Sequence, residues 1–177
     1  MQLHLLLATL LGAAASTNGI PVKFSNNCAT SISLYDNANT ETIEPGCTTT
    51  RNLQDGFSGM FRNGYNPQAT LAEFTVSQGF LWYDISIIPT GPQSGPGQCS
   101  SLTDCRQLTG GVGFNTPMKI APAGCTALTC LADGCADAYQ FPMDNLKTHA
   151  CPDTTPSVDV TFCPGNSKPN CSRSLRS

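Results

Sequence analysis

The sequence predicts an all-β domain, two antiparallel sheets packed as a sandwich or flattened barrel and tied by disulfides. Three observations carry this expectation. Short stretches alternate apolar and polar residues with a period of two: "IPVKFSNN", "SISLYDN", "ATLAEFTVSQGFLWYDIS" and "SVDVTFCPG". No stretch longer than about ten residues keeps a 3.6-residue period. Ten cysteines accompany 16 glycines and 13 prolines, a composition of turns and staples rather than of long helices.

Taken in order, the chain opens with "MQLHLLLATLLGAAASTNG", a Leu-rich run followed by small residues. That pattern reads as a secretory signal with an Ala-x-Ala site at Ala13 and Ala15, and the run is too short to span a bilayer. Residues 1–18 are therefore expected to be removed. The domain is expected to run over 19–165, secreted and monomeric, with a basic tail at 166–177 carrying Lys168, Arg173 and Arg176. No second apolar run of spanning length follows, so no transmembrane segment is expected. All ten cysteines lie after the signal, and an even count in a secreted chain reads as five disulfides. A zinc centre is the rival reading. His149 is the one histidine after the signal and no CxxC pair exists, so neither a metal nor a cofactor is expected. The same shortage argues against a Ser-His-Asp or Cys-His nucleophile. A formal charge of −3 argues against a nucleic-acid partner, which would normally meet a basic face, and none is expected.

Between the strand signals, residues 89–113 read as a Pro/Gly/Ser-rich loop clipped by Cys99 and Cys105. The "GGVG" inside it has no βαβ unit around it and is no dinucleotide fingerprint. "DNLKTHAC" has room for one helical turn between Pro142 and Pro152.

The segment 69–86 carries the functional question. With Gln78 and Gly79 as a two-residue turn, the opposed pairs run from Ser77–Phe80 to Leu71–Ser86. One face then holds Ala72, Phe74, Val76, Leu81, Tyr83 and Ile85, which is continuous and apolar. A one-residue slip would mix both faces, so this register is favoured. It sets Glu73 directly against Asp84, where like charges destabilise a sheet. Their tips either splay towards backbone N–H groups or form the acidic floor of a cleft for a sugar, a polar ligand or a basic partner. A coupled pair would raise one carboxyl's pKa. Trp82 beside them suits stacking on a sugar ring or burial in packing.

Several motifs together, "FSNNC", "ATLAEF", "WYDIS", "GFNTPMKIAP", "CADAYQFPMD" and "VDVTFCPG", resemble the thaumatin-like proteins, the pathogenesis-related family that includes osmotin. They occur in order over most of residues 20–165. Only "LADG" separates Cys130 from Cys135, which resembles the small subclass lacking most of the second domain. The resemblance implies a sandwich of about eleven strands. It pairs Cys28 with Cys163, Cys125 with Cys151 and Cys130 with Cys135, makes Cys99–Cys105 a short clip, and leaves Cys47 and Cys171 for each other. It also implies a cleft of one arginine and four acids. Glu73, Asp84 and Asp137 match three of the acids and Arg62 matches the arginine. The fourth acid aligns near Val112 or Gly113 and is absent. In relatives the short clip precedes the "TLAEF" strand; here it lies in an insertion over about 89–111, free to wall, lengthen or cover the cleft.

Two functional readings follow. In the first, the cleft binds β-1,3-glucan or a related cell-wall polysaccharide, with at most weak endo-β-1,3-glucanase or antifungal activity. Glu73 is then the acid, Asp84 its catalytic partner, Arg62 and Asp137 orient the ligand, and Trp82 stacks on it. In the second, the chain is a non-catalytic inhibitor of foreign glycosidases such as xylanases, or another defence or interaction protein, and its displayed loops carry the contacts. Asn170 opens an Asn-Cys-Ser sequon, a glycosylation candidate whose cysteine is wanted for a disulfide.

Overall fold

The computed structural model describes residues 19–91 and 99–171. The expected signal, residues 92–98 of the insertion and the end of the basic tail lie outside them. The described strands are β1 (Ile20–Asn26), β2 (Ile32–Tyr35), β3 (Thr40–Ile43), β4 (Thr48–Leu53), β5 (Ser58–Asn63), β6 (Leu71–Ser77) and β7 (Phe80–Ser86). Helix α1 (Leu102–Thr109) follows, then β8 (Met118–Pro122), β9 (Leu128–Cys130), β10 (Ala138–Tyr139), β11 (His149–Pro152) and β12 (Val158–Phe162). None of the described helices is long and apolar enough to cross a membrane.

The strands form two sheets. One has the order β4-β1-β12-β8-β9; the other runs β10-β7-β6-β5-β2-β3, with β11 also on the free edge of β7. Each sheet is antiparallel except for one pair. β1 lies parallel to β12, and β10 parallel to β7. Alternation along a strand is the same in either direction, so period alone does not distinguish these pairs from the antiparallel ones. The inner faces meet in one apolar core, where Phe24 of the first sheet and Phe61 of the second bring their ring centroids to 4.6 Å. Phe24, Ile120, Val158, Val160 and Phe162 are fully buried on one side; Leu81 and Ile85 are on the other.

The cysteines pair as Cys28–Cys163, Cys47–Cys171, Cys99–Cys105, Cys125–Cys151 and Cys130–Cys135. The first closes the ends of the parallel β1 and β12, 135 residues apart in sequence. Such long-loop bridges restrict the unfolded chain most, by about 3–5 kcal/mol in the chain-entropy account. Asn26, at the end of β1, is completely buried and satisfied: it donates to the Thr30 and Ile43 carbonyls and accepts from the Cys28 N–H.

The insertion differs from the loop expected over 89–113. It contains α1, capped by Ser101, whose side chain accepts from the Asp104 N–H, and ended by Gly110 in the left-handed region at φ 65°. Ser101 followed three residues later by Asp104 is the sequence signature of such a start; the surrounding Pro and Gly obscured it. The insertion returns to the sheet through an antiparallel bridge between Thr90 and Val112. Its Arg106 forms an ion pair with Asp133, beside the Cys130–Cys135 clip.

Candidate functional site

The site is built on the β6–β7 hairpin. Gln78 and Gly79 both have positive φ, 55° and 79°, the combination of a type I′ turn, whose twist matches that of the strands it joins. The register is the expected one through all seven pairs, and Glu73 faces Asp84. The inner face packs into the core. On the outer face, cross-strand rows run across the sheet: Ser58, Thr75 and Trp82; then Met60, Glu73 and Asp84; then Arg62, Leu71 and Ser86.

That outer face floors a groove of about 540 Å³ containing Ser58, Met60, Glu73, Thr75, Trp82 and Asp84. Ile88, Tyr139, Pro142 and Thr148 wall it, and Tyr139 and Thr148 hydrogen-bond to each other through their hydroxyls. A second, more apolar recess of about 400 Å³ joins it at Glu73, Ile88 and Pro142 and is lined by Pro67, Ala69 and Leu71. Trp82 is 38 % exposed and lies in the groove against Phe80, with centroids 5.8 Å apart. Its indole is therefore open to the groove as well as packed against Phe80.

The two carboxyls are directly opposed across the β6–β7 ladder, close enough to perturb each other's titration. Burial raises the pKa of Glu73. Burial, and then the neighbouring Glu73 charge and hydrogen bond, push Asp84 up to about 7. The pair thus retains a proton towards neutrality, shared between the two carboxyls. One oxygen of Asp84, Oδ1, is buried without a hydrogen-bond partner.

The other expected site residues are placed elsewhere. Arg62 shares the outer face but turns aside. Its Nε donates to the Gly64 carbonyl at 3.1 Å, a terminal nitrogen donates to Tyr65 at 2.8 Å, and the guanidinium lies 4.8 Å from the Tyr35 ring centroid. Asp137, exposed just before β10, accepts from the Thr129 N–H at 2.9 Å and does not line the groove. Where a fourth acid would align, Gly113 sits so close to the Ile87 carbonyl that a Cβ would fall 2.0 Å from its oxygen; no longer side chain fits without a backbone shift. Among the described residues of the insertion only Thr90 reaches the site, in the apolar recess. The "GFNTP" stretch ties strands together instead: Asn115 accepts from Thr70 and donates to the Asn63 carbonyl.

Tyr139, Pro142, Thr148, Ser58 and Met60 had no assigned role in the sequence reading. The first two lie inside the "CADAYQFPMD" motif, and the last two alternate with Arg62 along β5; these were the available signals. No group of His, Cys, Asp and Glu that could hold a metal occurs among the described residues.

No protein-family model matches the chain. A thaumatin-like protein of Oryza sativa is 34% identical over 95 residues, 54% of this chain and 40% of that protein. Thaumatin-like pathogenesis-related protein 3 of Avena sativa is 33% identical over 96 residues, again 54% of this chain and 42% of its own length. The solved structure of a thaumatin-like xylanase inhibitor superposes with a TM-score of 0.50 at 18% identity, covering 81% of this chain and 99% of that one. Over about half of its length this chain is similar to thaumatin-like proteins. The chain spans about two fifths of the length of the curated relatives it matches. The likeness to the inhibitor structure is one of fold.

Proposed function

We propose that this chain binds β-1,3-glucan or a related cell-wall polysaccharide in the groove over β6 and β7, without efficient hydrolysis. The observation that carries the reading is the exposed Trp82 in the same groove as the opposed Glu73 and Asp84. A sugar ring stacks on the indole, and its hydroxyls donate to the carboxyls or exchange hydrogen bonds with Ser58, Thr75 and Tyr139. Hydrolysis asks for two carboxyls on either side of the scissile bond, about 5–5.5 Å apart for retention or about 6.5–9.5 Å for inversion. Glu73 and Asp84 are cross-strand neighbours on one floor of the groove, so both would lie on the same side of a bound chain. Burial raises the pKa of both carboxyls, so neither is set apart as acid and the other as ionised partner. Five disulfides fit an oxidising, extracellular setting.

Calorimetric titration with laminarihexaose, alongside reducing-end release from laminarin, tests this. Binding should weaken about tenfold or more in Trp82→Ala, about 1.4 kcal/mol of lost contact, with release at background throughout. Absence of binding, or equal binding by Trp82→Ala, overturns the reading. Release above background that Glu73→Gln abolishes would make the groove catalytic.

A second reading, inhibition of a foreign glycosidase, is favoured by the exposed Met143 and Leu146 on the rim between Pro142 and Thr148, 72% and 92% exposed. They offer an apolar contact to another protein, and the solved neighbour of similar fold is by its title a xylanase inhibitor. Inhibition of a xylanase that Leu146→Asp relieves and Trp82→Ala leaves intact would favour it.

A further inference from the structure

The groove holds an acid pair that nothing in the described chain compensates. Among the described residues, no Lys, Arg or His lines the groove or its apolar recess. From β5 the residue facing the pair is Met60, and Arg62, one row along, is held by two carbonyls and the Tyr35 ring. β10 contributes Tyr139. His149 of β11 sits against Tyr83, on the inner-face side of β7, and Lys147 of the neighbouring turn does not line the groove. Asp84 Oδ1 is buried and without a partner.

A neutral sugar has hydroxyls to give these oxygens but leaves their charge uncompensated in a half-buried setting. An ammonium supplies three donors and the opposite charge together, and charge-assisted hydrogen bonds are roughly twice as strong as neutral ones. Trp82 on the same floor favours a cation too, through its ring face. We propose that the preferred occupant of the groove is a cationic polysaccharide, a polymer of unacetylated amino sugars, with one ammonium against Glu73 and Asp84 and a neighbouring ring on Trp82. This rests on the polysaccharide reading above and narrows its ligand class. Arrival of the ammonium ionises the pair fully, so the proton the two carboxyls share leaves to the buffer. The O–H bond of the carboxyl breaks heterolytically and no other bond changes.

The test is titration calorimetry of the full chain at about pH 6, in two buffers of different ionisation enthalpy. The three ligands are a hexamer of β-1,4-linked glucosamine, its N-acetylated counterpart and laminarihexaose. The glucosamine hexamer should bind at least about tenfold more tightly than either neutral hexamer, and it alone should release a proton. Both features should vanish in Glu73→Gln/Asp84→Asn, while Trp82→Ala weakens every ligand. Laminarihexaose binding as tightly as the glucosamine hexamer, with dependence on Trp82, overturns this inference and leaves the polysaccharide reading standing. A cationic preference that survives in the double variant places it elsewhere on the acidic surface and overturns the inference. So does hexalysine binding as tightly as the glucosamine hexamer, which would point to a basic protein segment. Absence of binding by all three saccharides overturns both.

Discussion

The inner face of the β6–β7 hairpin contains Ala72, Phe74, Val76, Leu81, Tyr83 and Ile85, none more than 3% exposed. Its one polar side-chain group, the Tyr83 hydroxyl, donates to the Thr126 carbonyl at 2.7 Å. The outer face, one residue out of phase on the same backbone, contains two directly opposed acids, an oxygen without a partner and an exposed indole. One ladder of hydrogen bonds serves both. The inner face shows what the sheet needs for stability; the outer face shows what it tolerates because the inner face is satisfied. Unsatisfied and mutually repelling groups persist only where the surrounding structure over-determines their position.

Substitutions that separate the two faces test this contrast. The largest effect belongs to the inner face. Phe74→Ala removes a ring packed 6.2 Å from Phe61 and should cost about 3–5 kcal/mol of stability by denaturant unfolding. An effect below about 1 kcal/mol would show the inner face to be less closely packed than its burial implies.

The next belongs to the outer face and depends on pH. Asp84 has its pKa raised from 3.8 to about 7, so the folded state holds a proton that the unfolded state has lost between those values. Stability must then fall as pH rises through that window and level off above about 7. Each pKa unit corresponds to about 1.4 kcal/mol, so the fall should be roughly 2–4 kcal/mol. Asp84→Asn should flatten the profile; an unchanged slope would assign the proton to another group.

Smallest is Tyr83→Phe, which leaves the ring in place and deprives the Thr126 carbonyl of its donor. About 1 kcal/mol should be lost, with polysaccharide affinity unaltered because the hydroxyl lies on the core side. A change in affinity would mean that the faces communicate.

Much of this hairpin was legible beforehand. The alternation and the Gln-Gly turn leave one register that sorts apolar from polar residues, and that register opposes Glu73 to Asp84. Trp82 stood open between stacking and packing because a strand's outer face is exposed or covered according to what lies above it; here residues 139–148 stand beside the indole as a wall and leave it open. Arg62 and Asp137 were legible as residues but not as contacts. Their partners, Tyr35, Tyr65 and Thr129, come from other strands and loops, and a long or charged side chain follows whichever acceptor or donor the fold brings within reach. Helix α1 was hidden for a different reason: eight residues are too few for periodicity to outweigh the Pro and Gly on either side.

By itself, the order of residues determined the β class, the pairing of adjacent strands across short turns and the opposition of two acids, because these depend on side-chain alternation and local turn geometry, which operate over a few bonds. Tertiary structure alone decided that β1 runs parallel to β12, that the arginine leaves the acids uncompensated and that the groove stays open beside Trp82. Those outcomes depend on which distant segments become neighbours, and neighbourhood in a sandwich is set by burial of the whole inner surface rather than by any stretch of it.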